Sequence, residues 1–323
     1  MTTAPRSAPL DVLIIGTGVI GTVYGAWLAM AGHRVSSLAR YSGPAGTRLL
    51  TIEDATRRTR QSVNVAISTQ PGAMRWDLVI VAVRADQLDS TVGTLTSLVG
   101  APSILVLGNN PLGRRALPPE LPGTVILGFP GIGGISVPSE PPAGAPSTSA
   151  GLVRFVIVDQ QPTTVGLWTG LAADAFFAAL HHAGASTART DDMPGWLAHH
   201  TIFISCMSMA LSRRGNSATS LALDRAPVLD MCRSIEEGFR SLRVQRIGGI
   251  PRNLAILHLP VLRWIAVRYW TTLLRSDRGE LYFAAHCRSA PDEVRSLAGS
   301  AIRFARAGHT PIPHLLALLR AQP

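Results

Sequence analysis

Val12-Leu13-Ile14-Ile15-Gly16-Thr17-Gly18-Val19-Ile20-Gly21 is the stretch that decides the fold. Four apolar residues run straight into a glycine-rich turn. An amphipathic segment follows, and a second short apolar run closes at Arg40. This reads as strand, glycine turn, helix and strand. A GxGxxG alone is a weak signal, but set between a strand and a helix it is a strong mark of dinucleotide binding. Gly16 permits the tight turn, Gly18 lets the backbone approach a pyrophosphate, and Gly21 lets the helix pack close to the strand. The helix start, at Val19 and Ile20, then offers free N–H groups and a positive dipole end to phosphate. An ordinary glycine turn in a βαβ unit is the competing reading.

Arg40 refines the expectation. An NAD-binding unit places an acidic residue roughly 20 residues past the turn, to bond the ribose 2′-hydroxyl. Here that place holds arginine, and no acid lies between Gly21 and Arg40. A guanidinium suits a 2′-phosphate, so NADPH is the expected cofactor. A solvated arginine at a strand end is the alternative.

Further buried strands are expected at 77–83, 103–107, 124–127, 152–158 and 164–167, with helices over 86–98 and 171–183. Strands alternating with helices predict an α/β fold with a doubly wound parallel sheet of Rossmann type. Strand signals stop after Asp191-Asp192-Met193-Pro194. Helical periodicity takes over at 196–211, 227–244, 261–274, 276–287 and 291–307. The chain therefore divides into a nucleotide-binding domain over 1–190 and an α-helical substrate and dimerisation domain over 191–323. Its 323 residues are comfortable for two domains, and 46% hydrophobic content fills two cores.

Composition excludes several classes. No uncharged apolar run approaches the ~18 residues of a membrane span, and the polar Met1–Leu10 is no secretory signal. Three widely spaced cysteines, Cys206, Cys232 and Cys287, suggest neither a disulfide framework nor a metal site. A reducing cytoplasm is the expected compartment. The net charge of +10 is scattered, and its densest run is Arg57-Arg58-Thr59-Arg60; aromatics are only 6%, without a stacking pattern. The charge reads as attraction for small anions rather than for nucleic acid. All 30 basic residues are arginine, so no lysine can serve in any mechanism. Arginine is no proton donor, because its pKa stays above about 12.

With both domains in view, the sequence resembles the ketopantoate reductase family, whose C-terminal domain is of the 6-phosphogluconate dehydrogenase type. The opening GTGVIGTVYGAWLAMAGHRVSSLAR is similar to the family's first βαβ unit, and DLVIVAVRADQLDS to its next cofactor strand. The resemblance implies an NADPH-dependent reductase of a 2-oxo acid. It puts Arg84 where a lysine near the NADPH phosphates is usual. It puts Asn110, in LVLGNNPLG, on the asparagine beside the nicotinamide, with Asn109 in place of the preceding glutamine. Glu293 falls on a substrate-binding glutamate and Asn216 on a family asparagine. The helix opening the second domain departs from the pattern. Trp196 is present, but the family's proton-donating lysine is Ala198 and the asparagine one turn later is Ile202. The stretch between Ile247 and Arg275 is longer than usual.

A ketone acceptor needs a donor for the charge that develops on its oxygen. His199 and Thr201 flank the helical face carrying Ala198 and Ile202, at about 100° per residue. Imidazole titrates near neutrality, so His199 is the replacement donor to examine, beside a purely structural histidine. His286 is a second candidate, seven residues before Glu293, provided that Pro291 does not break the helix. Asn110 and Glu293 complete the expected catalytic set, with Glu293 and Asn216 binding substrate. Asn110 also reads as a turn residue beside Pro111, Asn216 as a helix stop, and Glu293 as a first-turn carboxylate. Gly16, Gly18, Val19, Ile20, Gly21, Arg40, Arg84 and Asn110 form the expected cofactor site.

Three functions follow. The first is NADPH-dependent reduction of a ketopantoate-like 2-oxo acid or related carbonyl, with a donor other than lysine. The second is imine reduction, since a protonated iminium already carries its positive charge. The third is a non-redox enzyme or nucleotide-binding protein on the same fold. The expected partners are a small-molecule substrate and a second copy in a homodimer, with no nucleic acid, membrane or metal. Ile202, Phe203, Cys206 and Met209 make an apolar face that reads as core rather than dimer surface.

Overall fold

Val12 to Ile15 are wholly apolar because the strand they form is covered on both faces. That strand is β1 (Asp11–Ile15). The others are β2 (Arg34–Leu38), β3 (Thr47–Asp54), β4 (Thr59–Ser68), β5 (Leu78–Val81), β6 (Ser103–Leu107), β7 (Thr124–Phe129), β8 (Ile132–Val137), β9 (Leu152–Ile157), β10 (Thr163–Gly166) and β11 (Thr187–Thr190). The computed structural model describes residues 8–38, 46–137, 151–158 and 160–320. Arg40 lies outside them.

The strands form one sheet in the order β11-β10-β7-β6-β5-β1-β2-β4-β3-β9-β8. From β7 to β4 every neighbouring pair is parallel. Those six strands follow the order of a Rossmann sheet, in which the chain winds outward from β1 first one way and then the other. The direction reverses between β1 and β5, where Val12 faces Val35 on one side and Leu78 on the other. Helix α1 (Val19–Met30) links β1 to β2. The short α2 (Val92–Thr96) lies between β5 and β6, and α3 (Leu171–His182) follows β10. Tyr24 of α1 stacks on Phe176 of α3 at 5.8 Å, and its hydroxyl hydrogen-bonds to Thr163 Oγ1 at 2.6 Å.

The edges differ from an all-parallel sheet. β3 and β4 make an antiparallel hairpin over Thr47–Ala66 to Asp54–Thr59; β9 then joins β3 in parallel and β8 joins β9 antiparallel. On the far side β10 runs antiparallel to β7. The hairpin also accounts for the densest basic run. Asp54 Oδ1 accepts from the backbone N–H groups of Thr56 and Arg57, Arg58 takes a left-handed φ of 54°, and Arg60 pairs with Glu53 at 2.8 Å. The stretch 86–98 is not the expected full helix. It makes two single 3₁₀ turns before α2, because Asp89-Ser90-Thr91 and Gly93 are weak helix formers.

The chain separates into two compact units: Met1–Gly108 with Arg114–Arg189, and Asn109–Gly113 with Thr190–Pro323. The five-residue loop that follows β6 thus groups with the second unit. That unit is helical: α4 (Met193–Ser212), α5 (Ala218–Ala222), α6 (Arg225–Val244), α7 (Arg252–Leu257), α8 (Arg263–Leu274), α9 (Asp277–Gly279), α10 (Ala285–Ser289), α11 (Pro291–Ala307) and α12 (Pro313–Arg320). The helix expected over 276–287 is instead α9, a π-helical turn over Glu280–Ala284, and α10. Ala290 leaves helical geometry at φ −140°, so α10 and α11 are separate. The fold class is therefore a Rossmann-type sheet followed by an α-helical part. Ile202, Phe203, Cys206 and Met209 are core, at most 4% exposed.

α7 and α8, from the long Ile247–Arg275 stretch, complete the helical core. Ala266, Val267, Trp270 and Leu274 are buried in it, and Arg263 pairs with the buried Glu236. His258, 2% exposed, sits among Phe239 and Trp270 and accepts a 3.3 Å bond from the Trp270 indole N–H at Nε2. Burial lowers its pKa from 6.5 to about 3. Between those values the unfolded chain holds a proton that the folded chain does not, so stability rises with pH across the window. The full value is present above pH 6.5 and is lost progressively below it. At pH 5 the loss through this one group is about 2 kcal/mol. Urea unfolding at pH 7.5 and pH 5 should show that loss in the wild type and a smaller one in His258→Leu. Equal losses in the two proteins would contradict it.

Candidate functional site

The three glycines of the opening motif occupy three different steric situations. Gly16 has φ +95°, and a Cβ there would fall 2.5 Å from the Ala82 carbonyl oxygen and 2.8 Å from Val83 Cγ1. Only glycine turns there and passes the end of β5. A Cβ on Gly21 would fall 1.8 Å from the Gly16 carbonyl oxygen. Glycine is thus the residue that lets α1 approach its own strand. Gly18 is unlike both. It is exposed, its φ of −71° suits any residue, and a Cβ there would meet nothing within 4 Å. No packing demand inside the protein explains glycine at Gly18. The position is open space.

That open face is the N-terminus of α1. Gly18 is the N-cap; no side chain caps the helix, and its first turn carries no acid. The first intrahelical bond runs from Thr22 N–H to the Gly18 carbonyl at 3.0 Å, which leaves the N–H groups of Val19, Ile20 and Gly21 for an anion. The parallel register ends β1 and β5 together, with Ile15 opposite Val81, and Arg84 follows three residues later. Arg84 is exposed and pairs with Asp86 through Nε at 3.1 Å and Nη2 at 3.2 Å. Exposed pairs of this kind contribute at most ~1 kcal/mol, so this one orients the guanidinium without locking it.

The residues expected to carry chemistry lie in the helical unit, and they separate. Glu293, 3% exposed, is in the first turn of α11, where the helix dipole favours a carboxylate. Asn109 donates to it, from Nδ2 to Oε1 at 3.1 Å. Asn110 instead closes its own loop. It is 4% exposed, its Nδ2 donates to the Gly113 carbonyl at 2.9 Å, and the Gly113 N–H returns to the Asn110 carbonyl at 3.0 Å. The loop thus presents Asn109, not Asn110, to Glu293.

Asn216 has a left-handed φ of 54°, and its N–H closes the end of α4 on the Leu211 carbonyl at 2.9 Å. Its carbonyl accepts from Arg288. These are helix-stop contacts made by the backbone. His199 is 2% exposed, with Nδ1 2.9 Å from the Gly195 carbonyl and its ring edge-on to Phe239 at 5.2 Å. Burial lowers its pKa, against smaller upward effects of the Gly195 and Gly248 carbonyls. A neutral ring bonded to its own helix suits packing, not proton delivery. Thr201 likewise donates to the Leu197 carbonyl at 2.7 Å. Ala198 and Ile202 belong to the apolar core, at 5% and 0% exposure. His286 lies in α10, and its side chain is outside the described residues. Among the described residues no group of three His, Cys, Asp or Glu side chains could hold a metal ion. Among them, too, no helix is long and apolar enough to cross a membrane.

Residues 12–133 match the family model described as ketopantoate reductase PanE/ApbA. Over those residues the chain is similar to that family. The whole fold is ketopantoate reductase-like as well. A PanE/ApbA family ketopantoate reductase from Ralstonia eutropha superposes with a TM-score of 0.68 at 22% identity, covering 96% of both chains. The 2-dehydropantoate 2-reductase of Methylococcus capsulatus gives 0.68 at 18%, covering 96% of this chain and 95% of that one. A D-mandelate dehydrogenase, in a ternary structure with NADH and anilino(oxo)acetate, gives 0.67 at 14%, covering 96% of both. At these identities the likeness is one of fold. No curated protein matches the sequence.

The glycine geometry makes a sharp separation. Gly18→Val should leave the melting temperature within about 2 °C of wild type, because it meets nothing and needs no special φ. It should nevertheless weaken nucleotide binding by tenfold or more. Gly21→Val should fail to fold or melt far lower. Equal melting losses in both variants would show that Gly18 has a packing role.

Proposed function

We propose that this chain is an NADPH-dependent reductase of the ketopantoate reductase type, acting on a small carbonyl compound or its imine. The observation that carries the reading is the open, uncapped backbone at Gly18, set by Gly16 and Gly21 at the point where the sheet reverses direction. Ligands of open α/β sheets bind at that point, outside the carboxyl ends of the strands. A nicotinamide nucleotide bound there supplies a hydride. The N–H groups of Val19, Ile20 and Gly21 hold its pyrophosphate, and Arg84 adds positive charge beside them.

The phosphate preference rests on sequence. Arg40 stands where an NAD-binding unit carries an acid, and a guanidinium is complementary to a 2′-phosphate. The D-mandelate dehydrogenase neighbour holds NADH, which supports a nicotinamide nucleotide on this fold. The 2-oxo acid reading draws on the family match and on that neighbour's anilino(oxo)acetate. A second reading, imine reduction, is favoured by a specific observation. The chain has no lysine, Ala198 and Ile202 are core, and His199 is bonded to its own helix. The protein is proposed to work in the cytoplasm as a homodimer, without nucleic acid or membrane.

Fluorescence titration with NADPH and NADH tests the reading. NADPH should bind in the micromolar range and NADH much more weakly. Arg40→Ala should cost NADPH affinity about tenfold or more, the worth of a charge-assisted hydrogen bond, and leave NADH unchanged. Arg84→Ala should weaken both nucleotides. Absence of binding by either nucleotide would overturn the reductase reading.

A further inference from the structure

The helical unit concentrates apolar exposure in one place. Ile256, Leu259, Val261, Trp264 and Ile265 are all exposed, on α7, the turn after it and the start of α8. Val261 is 76% exposed and Trp264 64%. Val261, Trp264 and Ile265 have helical spacing, so they share a face. Single apolar residues on a surface need no explanation, but a group of this size calls for one. Beside it runs a groove of about 530 Å³ between α6 and α8. Ala226 and Leu229 line its α6 wall, and Pro260, Trp264 and Val267 line the other. Small-molecule sites have volumes of roughly 300–1,000 Å³ and mostly apolar walls with a few polar groups. The groove has both properties, and both its walls belong to one compact unit.

The charge around the groove is one-sided. Its polar lining is Arg225 and Arg263. Arg263 is engaged by the buried Glu236, to which its Nε donates at 2.9 Å. Arg225 is exposed and has no hydrogen-bond or ion-pair partner among the described residues. Arg268, one turn after Trp264, is free in the same sense. The acids of this face are already engaged. Asp224 caps α6 by accepting from the Ala226 N–H at 3.0 Å, and pairs with Arg214 at 3.4 Å. Asp230 pairs with Arg233 at 3.5 Å and lies 4.0 Å from His314 Nδ1. Between Glu237 and Asp277 the sequence contains no acid. An apolar groove with an unpaired guanidinium at its exposed edge is complementary to an amphiphilic anion.

We infer that the groove between α6 and α8 binds a medium-chain carboxylate. The chain lies against Leu229, Pro260 and Val267 and covers the exposed ring of Trp264. The small side chain of Ala226 leaves it room, and the Arg225 guanidinium takes the carboxylate through its fork of N–H groups. Other occupants fit less well. A second copy of the protein, docked through the same face, would bring this arginine-rich surface against itself with no free acid to receive it. A bilayer presents a broad surface, whereas a concave slot suits a single chain. The site is separate from the reductase reading, because neither the nucleotide nor Glu293 takes part in it.

Calorimetric titration of the full chain with monomeric decanoate, decanol and decylammonium tests this. Decanoate should bind about tenfold or more tightly than decanol, the worth of a charge-assisted hydrogen bond, and decylammonium should bind most weakly. Arg225→Glu should remove the preference for decanoate, and Arg225→Lys should keep part of it. Ala226 is exposed, so Ala226→Phe should fill the groove and abolish binding without lowering the melting temperature. Equal affinity for decanoate and decanol would overturn the inference. Decanoate binding that is unchanged in a folded Ala226→Phe protein would overturn it equally. Binding to anionic phospholipid vesicles but not to monomeric decanoate would make the face a membrane contact instead. A dimer that Trp264→Ser dissociates and decanoate leaves intact would make it a contact between copies. The titration needs no nucleotide, so failure of the reductase reading would leave this result standing.

Discussion

The approach of α1 to β1 at Gly21 is the contact on which the nucleotide-binding unit depends. With 1.8 Å between a hypothetical Gly21 Cβ and the Gly16 carbonyl oxygen, any side chain would push the helix off its strand. That displacement would move the helix N-terminus away from the strand ends. It would also disturb Tyr24, one turn further along α1, whose ring stacks on Phe176 and whose hydroxyl meets Thr163. The same packing thus holds two helices against the sheet and aims three unpaired N–H groups at open space. The open helix N-terminus is a consequence of how the core closes, not an addition to it.

Sequence made this part legible because its rules are steric and local. A turn with φ +95°, a helix–strand contact without room for a Cβ, and a strand buried on both faces each demand a residue type at a fixed spacing. The edge strands were harder. β3 and β4 carry Thr51, Glu53, Arg60 and Ser62 on one face, and only Leu50, Ile52 and Asp54 are buried on β3. An antiparallel hairpin with a solvated face leaves a weaker apolar signal than a strand at the sheet centre. The stretch at 86–98 misled for the opposite reason. Its spacing suggests a helix, but serine, threonine and glycine hold it to 3₁₀ turns and one short helix.

The candidate chemistry was legible by residue type and less so by orientation. Glu293 stands in a helix first turn, as Pro291 indicated, but it is buried rather than exposed. Which of two adjacent asparagines faces it could not be read from spacing, because the loop turn at Gly113, with φ 57°, decides which side chain closes the turn and which is free to reach outward. Histidine on α4 looked like a proton donor for want of any other. Its actual partner is a carbonyl four residues back in its own helix, a contact that helical spacing makes possible and that periodicity alone does not rank against a catalytic one.

Alanine at position 198 and isoleucine at position 202 are consistent with the rest of the helical unit. Ala198 and Ile202 do not leave a polar gap behind. Ile202 Cγ2 lies 2.4 Å from where a Cβ of Gly238 would be, so α6 carries glycine where α4 carries isoleucine. The two helices are fitted to each other around an apolar contact. A lysine restored at position 198 would enter that core and pay the cost of a buried charge before it met any substrate. What the chain keeps is the polarity of Asn109 and Glu293, one acceptor unsatisfied and one carboxylate held beside it.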